Sequence, residues 1–180
     1  SSLPADKISV YREAKNPELR IAPYLGTYYY RLNVRKPQLQ EPRVRRALAM
    51  TVDRQRLVDN ITKGGQIPAY AMTPPGTMGY YPESNLKFDP EGAKRLLAEA
   101  GYPNGEGFPP TEILYNTNEG HRKVAVALQD TWKKHLNIDV SLLNQEWKVY
   151  LDTESPCQYE MSRPGWNGDS VDPKNSLACI

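Results

Sequence analysis

The residue types best suited to chemistry lie in the last fifth of the 180-residue chain, in Asn144-Gln-Glu-Trp147 and Ser162-Arg-Pro-Gly-Trp-Asn-Gly-Asp169. They place a cation, an anion and two indole rings around a glycine-interrupted backbone, the groups needed to hold both ends of a short peptide. Arg163 presents a rigid fork of N–H donors that suits a carboxylate, and Asp169, an acceptor when ionised, suits an ammonium group. In an extended segment the backbone groups of alternate residues point the same way, so Arg163, Gly165 and Asn167 can offer theirs to one side. Pro164 lacks an N–H, but its missing donor falls on the opposite side, and Gly165 leaves room for another backbone to approach. Trp147 and Trp166 supply broad apolar walls. The same pattern also fits a strand end followed by an Asn-Gly-Asp turn, with Arg163 and Asp169 paired to each other or solvated.

His121 stands in the first turn of a long helix, where the positive end of the helix dipole lowers an imidazole's pKa and draws an anion. A solvent-exposed histidine at the same place is the plainer reading. His135 faces the expected core. No pair of histidines has metal-ligand spacing, so no metal site is expected. No Gly-x-Ser-x-Gly elbow, phosphate-binding glycine loop or His-Glu-x-x-His motif occurs. The competing classes are a hydrolase or peptidase using His121 and Asp169, and a nucleic-acid binder using Arg43-Val-Arg45-Arg46 and Arg54-Gln-Arg56. Those arginines lie on amphipathic helices among acids such as Asp53 and Asp59, which a solvated helix face explains better.

The elements that must position these groups follow an α/β pattern. The segment Thr27 to Val34 is aromatic and β-branched and reads as a strand entered at Gly26, after an irregular lead-in over residues 1 to 25. Val44, Ala47 and Leu48 have helical spacing, and Asp53 can cap a second helix with Leu57, Val58 and Ile61 on one side, ending at Gly64-Gly65. Pro68, Pro74, Pro75, Pro82, Gly76 and Gly79 mark a long surface loop before Asp89, with Tyr70, Tyr80 and Tyr81 along it. Asp89-Pro90 starts a helix that Gly101 ends. A strand over 112–116, a helix over 119–136 and alternating Ile138, Val140 and Leu142 then form a β-α-β unit. Open parallel sheets bind ligands beyond the carboxyl ends of their strands, here Asn116 and Asn144. A short helix over 146–153 and an extended segment from Tyr159 to Trp166 complete the pattern.

Composition limits the partners. A formal charge of +2 demands neither nucleic acid nor an anionic membrane. Sixteen prolines and twelve tyrosines against two phenylalanines favour turns and aromatic surfaces with polar tips. No run of eighteen apolar residues encodes a membrane span. No signal peptide or initiator methionine precedes Ser1, so the start reads as processed or truncated. Cys157 and Cys179 match no zinc or redox spacing; a disulfide between them is open in an oxidising compartment.

Across nearly the whole chain, and in the same order, Pro23-Tyr-Leu-Gly-Thr-Tyr-Tyr-Tyr30, Arg43-Val-Arg, Pro68-Ala-Tyr70 with Thr73-Pro-Pro75, Leu97-Ala-Glu-Ala-Gly-Tyr102, Leu114-Tyr-Asn-Thr117, Trp132-Lys-Lys134, Asn144-Gln-Glu-Trp-Lys148 and Gly165-Trp with Gly168-Asp169 resemble periplasmic oligopeptide-binding proteins of the OppA type, in extracellular solute-binding protein family 5. The resemblance implies an α/β fold with a mixed sheet and flanking helices, one lobe of a two-lobed periplasmic-binding-protein fold. Residues 1–25 would end the first lobe and 26–180 form a second lobe that stops short of its closing segments. It further implies a monomeric, cofactor-free, non-enzymatic periplasmic receptor that binds short peptides, docks transiently on an ABC permease in the inner membrane, and has no nucleic-acid partner.

Position by position, Asp169 would take the peptide's α-ammonium, and Arg163 and His121 its C-terminal carboxylate. Gly165 and Asn167 would give main-chain hydrogen bonds, Trp147 and Trp166 would line side-chain pockets, and Lys63 lies one position from a lysine of similar role. Gly26 and Asn167 occupy places where the enteric proteins pair cysteines, Glu154 replaces an arginine, and Pro164 and the tail from Val171 to Ile180 are unusual for the family.

Overall fold

The computed structural model describes residues 5–22, 24–84, 86–170, 172 and 174. Pro23 of the sequence motifs, Cys179 and most of the tail from Val171 lie outside them. The chain divides into two compact units: residues 1–27, 54–83 and 166–180 form one, and residues 28–53 and 84–165 the other.

The second unit holds the core. Its elements are β2 (Arg31–Leu32), α2 (Pro37–Gln40), α3 (Pro42–Met50), α5 (Pro90–Glu99), β3 (Thr111–Asn116), α6 (Glu119–Leu136), β4 (Val140–Gln145), α7 (Trp147–Glu154) and β5 (Met161–Ser162). The sheet has the order β2-β5-β3-β4. β3 runs parallel to both β4 and β5, and β2 closes the edge antiparallel to β5, so the sheet is mixed. In β3, Ile113, Leu114 and Tyr115 are buried in succession, as a strand covered on both faces requires. Leu114 joins Tyr150 of α7 and Tyr159 in one apolar cluster. The α6 helix lays Val124, Ala125, Leu128, Trp132 and Leu136 against the core, and the Trp132 indole N–H donates to the Leu48 carbonyl at 3.0 Å, tying α6 to the end of α3.

Helix boundaries follow local chemistry. Asp89 caps α5 by accepting from Gly92 N at 2.8 Å, with Pro90 in the first position. Gly101 follows with a φ of +98°, a conformation that a β-carbon would strain. Asn118 caps α6 by accepting from the N–H groups of Gly120 and His121.

The first unit contains α1 (Ala5–Glu13), α4 (Arg54–Leu57) and a π-helical turn over Val58–Thr62 that Lys63 ends in the left-handed region. Among its described residues no apolar side chain is fully buried. Among the described residues, the long loop after Gly65 forms one isolated bridge, Thr77 to Tyr80. The division between units falls inside two short strands, β1 (Gly26–Tyr28) and β6 (Gly165–Asn167), which pair with each other in a two-stranded ribbon.

Five expectations need correction. The strand expected over 27–34 is two strands, β1 and β2, because each pairs with a different partner and the backbone must leave one sheet for the other. The extended segment from Tyr159 to Trp166 breaks for the same reason at Arg163-Pro164. The second helix, expected to run on to Gly64-Gly65, is the short α4 followed by a π-helical turn, and His135 sits half-buried at the rim with its ring edge-on to Phe88 at 6.1 Å. The lead-in also contains α1, which its proline-marked flanks conceal.

Candidate functional site

Strands β3, β4 and β5 point their carboxyl ends the same way, and polar residues gather beyond those ends. Arg163 follows β5 directly. Its backbone N–H donates to Leu114 O at 3.1 Å, and its carbonyl accepts from the Tyr150 hydroxyl at 3.1 Å. The guanidinium donates through Nη2 to Asn116 Oδ1 at the end of β3. Its Cζ lies 5.4 Å from the centroid of the Tyr28 ring, a cation–π contact. Among the described residues no carboxylate pairs with it, and its Nε is buried without a hydrogen-bond partner. A cation held by neutral groups, with one donor unspent, suits an anionic guest.

His121 shares the Tyr28 platform. Its ring lies 5.6 Å from that of Tyr28, with Nδ1 3.4 Å from the phenol oxygen. Burial, and then the charge of Arg163, push its pKa down to about 4, so the imidazole is neutral near pH 7. Tyr28 in turn meets Tyr30 edge-on at 6.0 Å. Burial first, and then the neighbouring Tyr30, raise the Tyr28 phenol well above its ordinary range, so it stays protonated. Two positions expected to receive an anion, Arg163 and His121, are therefore brought onto one ring.

Trp147 opens α7, half-exposed, and stacks on Tyr150 with centroids 5.7 Å apart and planes 15° from parallel. Because the Tyr150 hydroxyl holds the Arg163 carbonyl, this aromatic wall is fixed to the strand that carries the cation. Glu154, one turn beyond Tyr150, ion-pairs with Arg31. Gly165 is exposed at the start of β6.

The remaining expected residues lie in the first unit. Asn167 and Asp169 are exposed, Trp166 is half-buried, and Lys63 is exposed with a φ of +52°. A β-carbon on Gly26 would meet Asn167 Oδ1 at 2.8 Å, so these two positions are neighbours across the ribbon. The Gly168 N–H donates to Leu25 O at 2.8 Å. Among the described residues, β6 has one partner strand, and its second edge carries none.

Sequence reasoning missed Tyr28, Tyr30, Asn116 as a ligand of Arg163, and Tyr150. Asn116 was legible as a strand end. The role of Tyr28 was not, because it depends on a contact spanning 93 residues to His121. Cys157 carries a free thiol, half-buried, and its proposed partner Cys179 lies outside the described residues.

A family model described as bacterial extracellular solute-binding proteins, family 5 Middle, matches residues 1–179. The chain belongs to that family. It is 38% identical over 185 residues to the periplasmic oligopeptide-binding protein OppA of Escherichia coli strain K12, covering 98% of this chain and 34% of that protein. A crystal structure of a periplasmic oligopeptide-binding protein from Borrelia burgdorferi superposes with a TM-score of 0.89 at 38% identity, over 98% of this chain and 35% of the other. Haemophilus influenzae OppA in complex with the peptide RPPGFSPFR gives a TM-score of 0.84 at 34% identity, over 97% and 36%. The chain thus spans about a third of the length of the relatives it matches, and no helix among its described residues is long and apolar enough to cross a membrane.

Proposed function

We propose that the chain is part of the peptide-receiving component of an ABC importer, a non-enzymatic, monomeric periplasmic receptor. The observation that carries this reading is the Arg163 guanidinium, fixed beyond the strand ends with a spare donor and no carboxylate partner among the described residues, in a family whose named relatives bind oligopeptides. In this reading residues 1–25 belong to a first lobe and 26–180 to a second. Arg163 and His121 take the C-terminal carboxylate of ligands of different length, Asp169 their ammonium, and Lys63 has a role similar to that of the other cations. Gly165 and Asn167 give main-chain hydrogen bonds along the second edge of β6, and Trp147 and Trp166 line side-chain pockets that tolerate varied sequences with bridging water.

Closure of the lobes over the ligand would favour the state that docks on an inner-membrane permease. The named relatives are binding proteins, which supports capture rather than hydrolysis, and the pairing of Arg43 with Glu41 supports a solvated helix face rather than a nucleic-acid footprint. Calorimetry with tri- and tetrapeptides, free, N-acetylated or C-amidated, tests the reading. Acetylation should weaken binding in the parent and make little difference in Asp169→Asn. Equal affinity for free and acetylated peptides would remove the role of Asp169.

A further inference from the structure

We propose that capture of a ligand carboxylate at Arg163 is coupled to partial protonation of His121 in acidic solution, with the Tyr28 hydroxyl accommodating both protonation states of the ring. The inference rests on the peptide-receiving reading above. Arg163 and His121 both lie against the Tyr28 ring, so a carboxylate that neutralises the guanidinium removes the nearest positive charge felt by the imidazole. The same carboxylate adds a negative charge within reach of the ring, which favours the imidazolium.

The hydrogen-bond chemistry permits the change at no loss of partner. A phenol hydroxyl can donate or accept. In the neutral ring Nδ1 accepts from Tyr28, with the proton on Nε2; in the charged ring the Nδ1–H donates to the same oxygen, 3.4 Å away. The Tyr28 phenol keeps its own proton throughout, since burial holds its pKa high. The added proton comes from solvent, and in the molecules that take it up the charge brought into the site by the carboxylate is cancelled.

Other charged groups near the ring do not provide the same compensation. On α6, Glu119 is engaged with Arg122, leaving Lys123 as a further cation. From β3 the facing group is neutral Asn116, and from the β1–β2 link and α7 the titratable groups are Tyr30 and Tyr150, both with pKa values pushed up to about 12 by burial. His121 is the group on this platform whose protonation can follow the ligand in the acidic range around pH 4 to 5.

The chain has two histidines, His121 and His135, so NMR titration of the ring carbons resolves them, with His121→Gln assigning the pair. Without ligand, His121 should titrate near 4. Saturating tetra-alanine should raise its midpoint by about one pH unit and leave His135 unmoved, whereas tetra-alanine amide should not. Each such rise corresponds to a gain in affinity of about fivefold between pH 7 and pH 4, with proton uptake visible as a buffer-dependent binding enthalpy. His121→Gln should abolish the gain, and Tyr28→Phe, which removes the hydroxyl but keeps the ring, should reduce it. Tetra-alanine bound with an unmoved His121 midpoint, or a pH gain persisting in His121→Gln, overturns the coupling while leaving the peptide reading intact. No response of the Trp147 indole signal to any peptide overturns both.

Discussion

Arg163 is held by four different interactions: two backbone hydrogen bonds, the Asn116 side chain and the Tyr28 ring. Its orientation therefore depends on neighbours that need not touch the ligand. Asn116→Ala should leave the fold stable and weaken binding of free peptides by roughly ten- to a hundredfold, because a hydrogen bond to a charged group contributes roughly 1.5–3 kcal/mol. C-amidated peptides, which lack the carboxylate, should show a much smaller change in the same calorimetric assay. His121 makes a second prediction, on stability. Its folded-state pKa of about 4 lies below the ordinary histidine value, so the unfolded chain binds the proton first as the solution is acidified. Stability is full above about pH 6.5 and is lost as pH falls toward 4, by on the order of 1–2 kcal/mol once solvent screening is allowed for. Urea unfolding of the parent and His121→Gln at pH 7 and pH 4.5 should show that the variant loses less stability over this interval.

At the scale of elements, caps and packing contacts carry separable energies. Asp89→Ala removes the side-chain acceptor of α5 and should cost about 1 kcal/mol. For a protein of this size that lowers Tm by roughly 2–4 °C in a thermal melt. Trp132→Phe keeps most of the apolar volume but removes the indole donor from the Leu48 carbonyl, which still accepts from the Thr51 hydroxyl, and a loss of about 0.5–1.5 kcal/mol is expected in the same measurement. These caps and faces were readable because each depends on residues within one or two turns. Asp89-Pro90, the span of α6 and the parallel β3-α6-β4 unit all appear in the sequence as periodicity and punctuation. The break between β1 and β2 does not. Tyr28, Tyr29 and Tyr30 all favour extended backbone, and propensity carries no information about which strand each will pair with.

For the whole molecule, the contrast in apolar burial between the two units predicts a contrast in local stability. Every fully buried apolar side chain among the described residues belongs to the unit of residues 28–53 and 84–165. Hydrogen exchange should therefore find the slowest amides in β3, β4 and α6, and much faster exchange over residues 54–83, where exposed loop dominates. Comparable protection in both regions would contradict this assignment of the core. A further test uses the ribbon: Gly26→Cys with Asn167→Cys places two thiols at neighbouring positions, and mild oxidation should cross-link them within one chain, read by mass spectrometry under non-reducing conditions.

The sequence by itself determined the α/β class, the Asp89 cap of α5, the parallel unit and the residue types of the candidate site, because periodicity, turn chemistry and side-chain charge are local properties. Only the tertiary structure decided that Arg163 and His121 share the Tyr28 ring, that Asn116 fixes the guanidinium, and that one aromatic strand is two. Those outcomes depend on contacts between residues tens of positions apart, whose proximity is set by how the sheet and helices pack together.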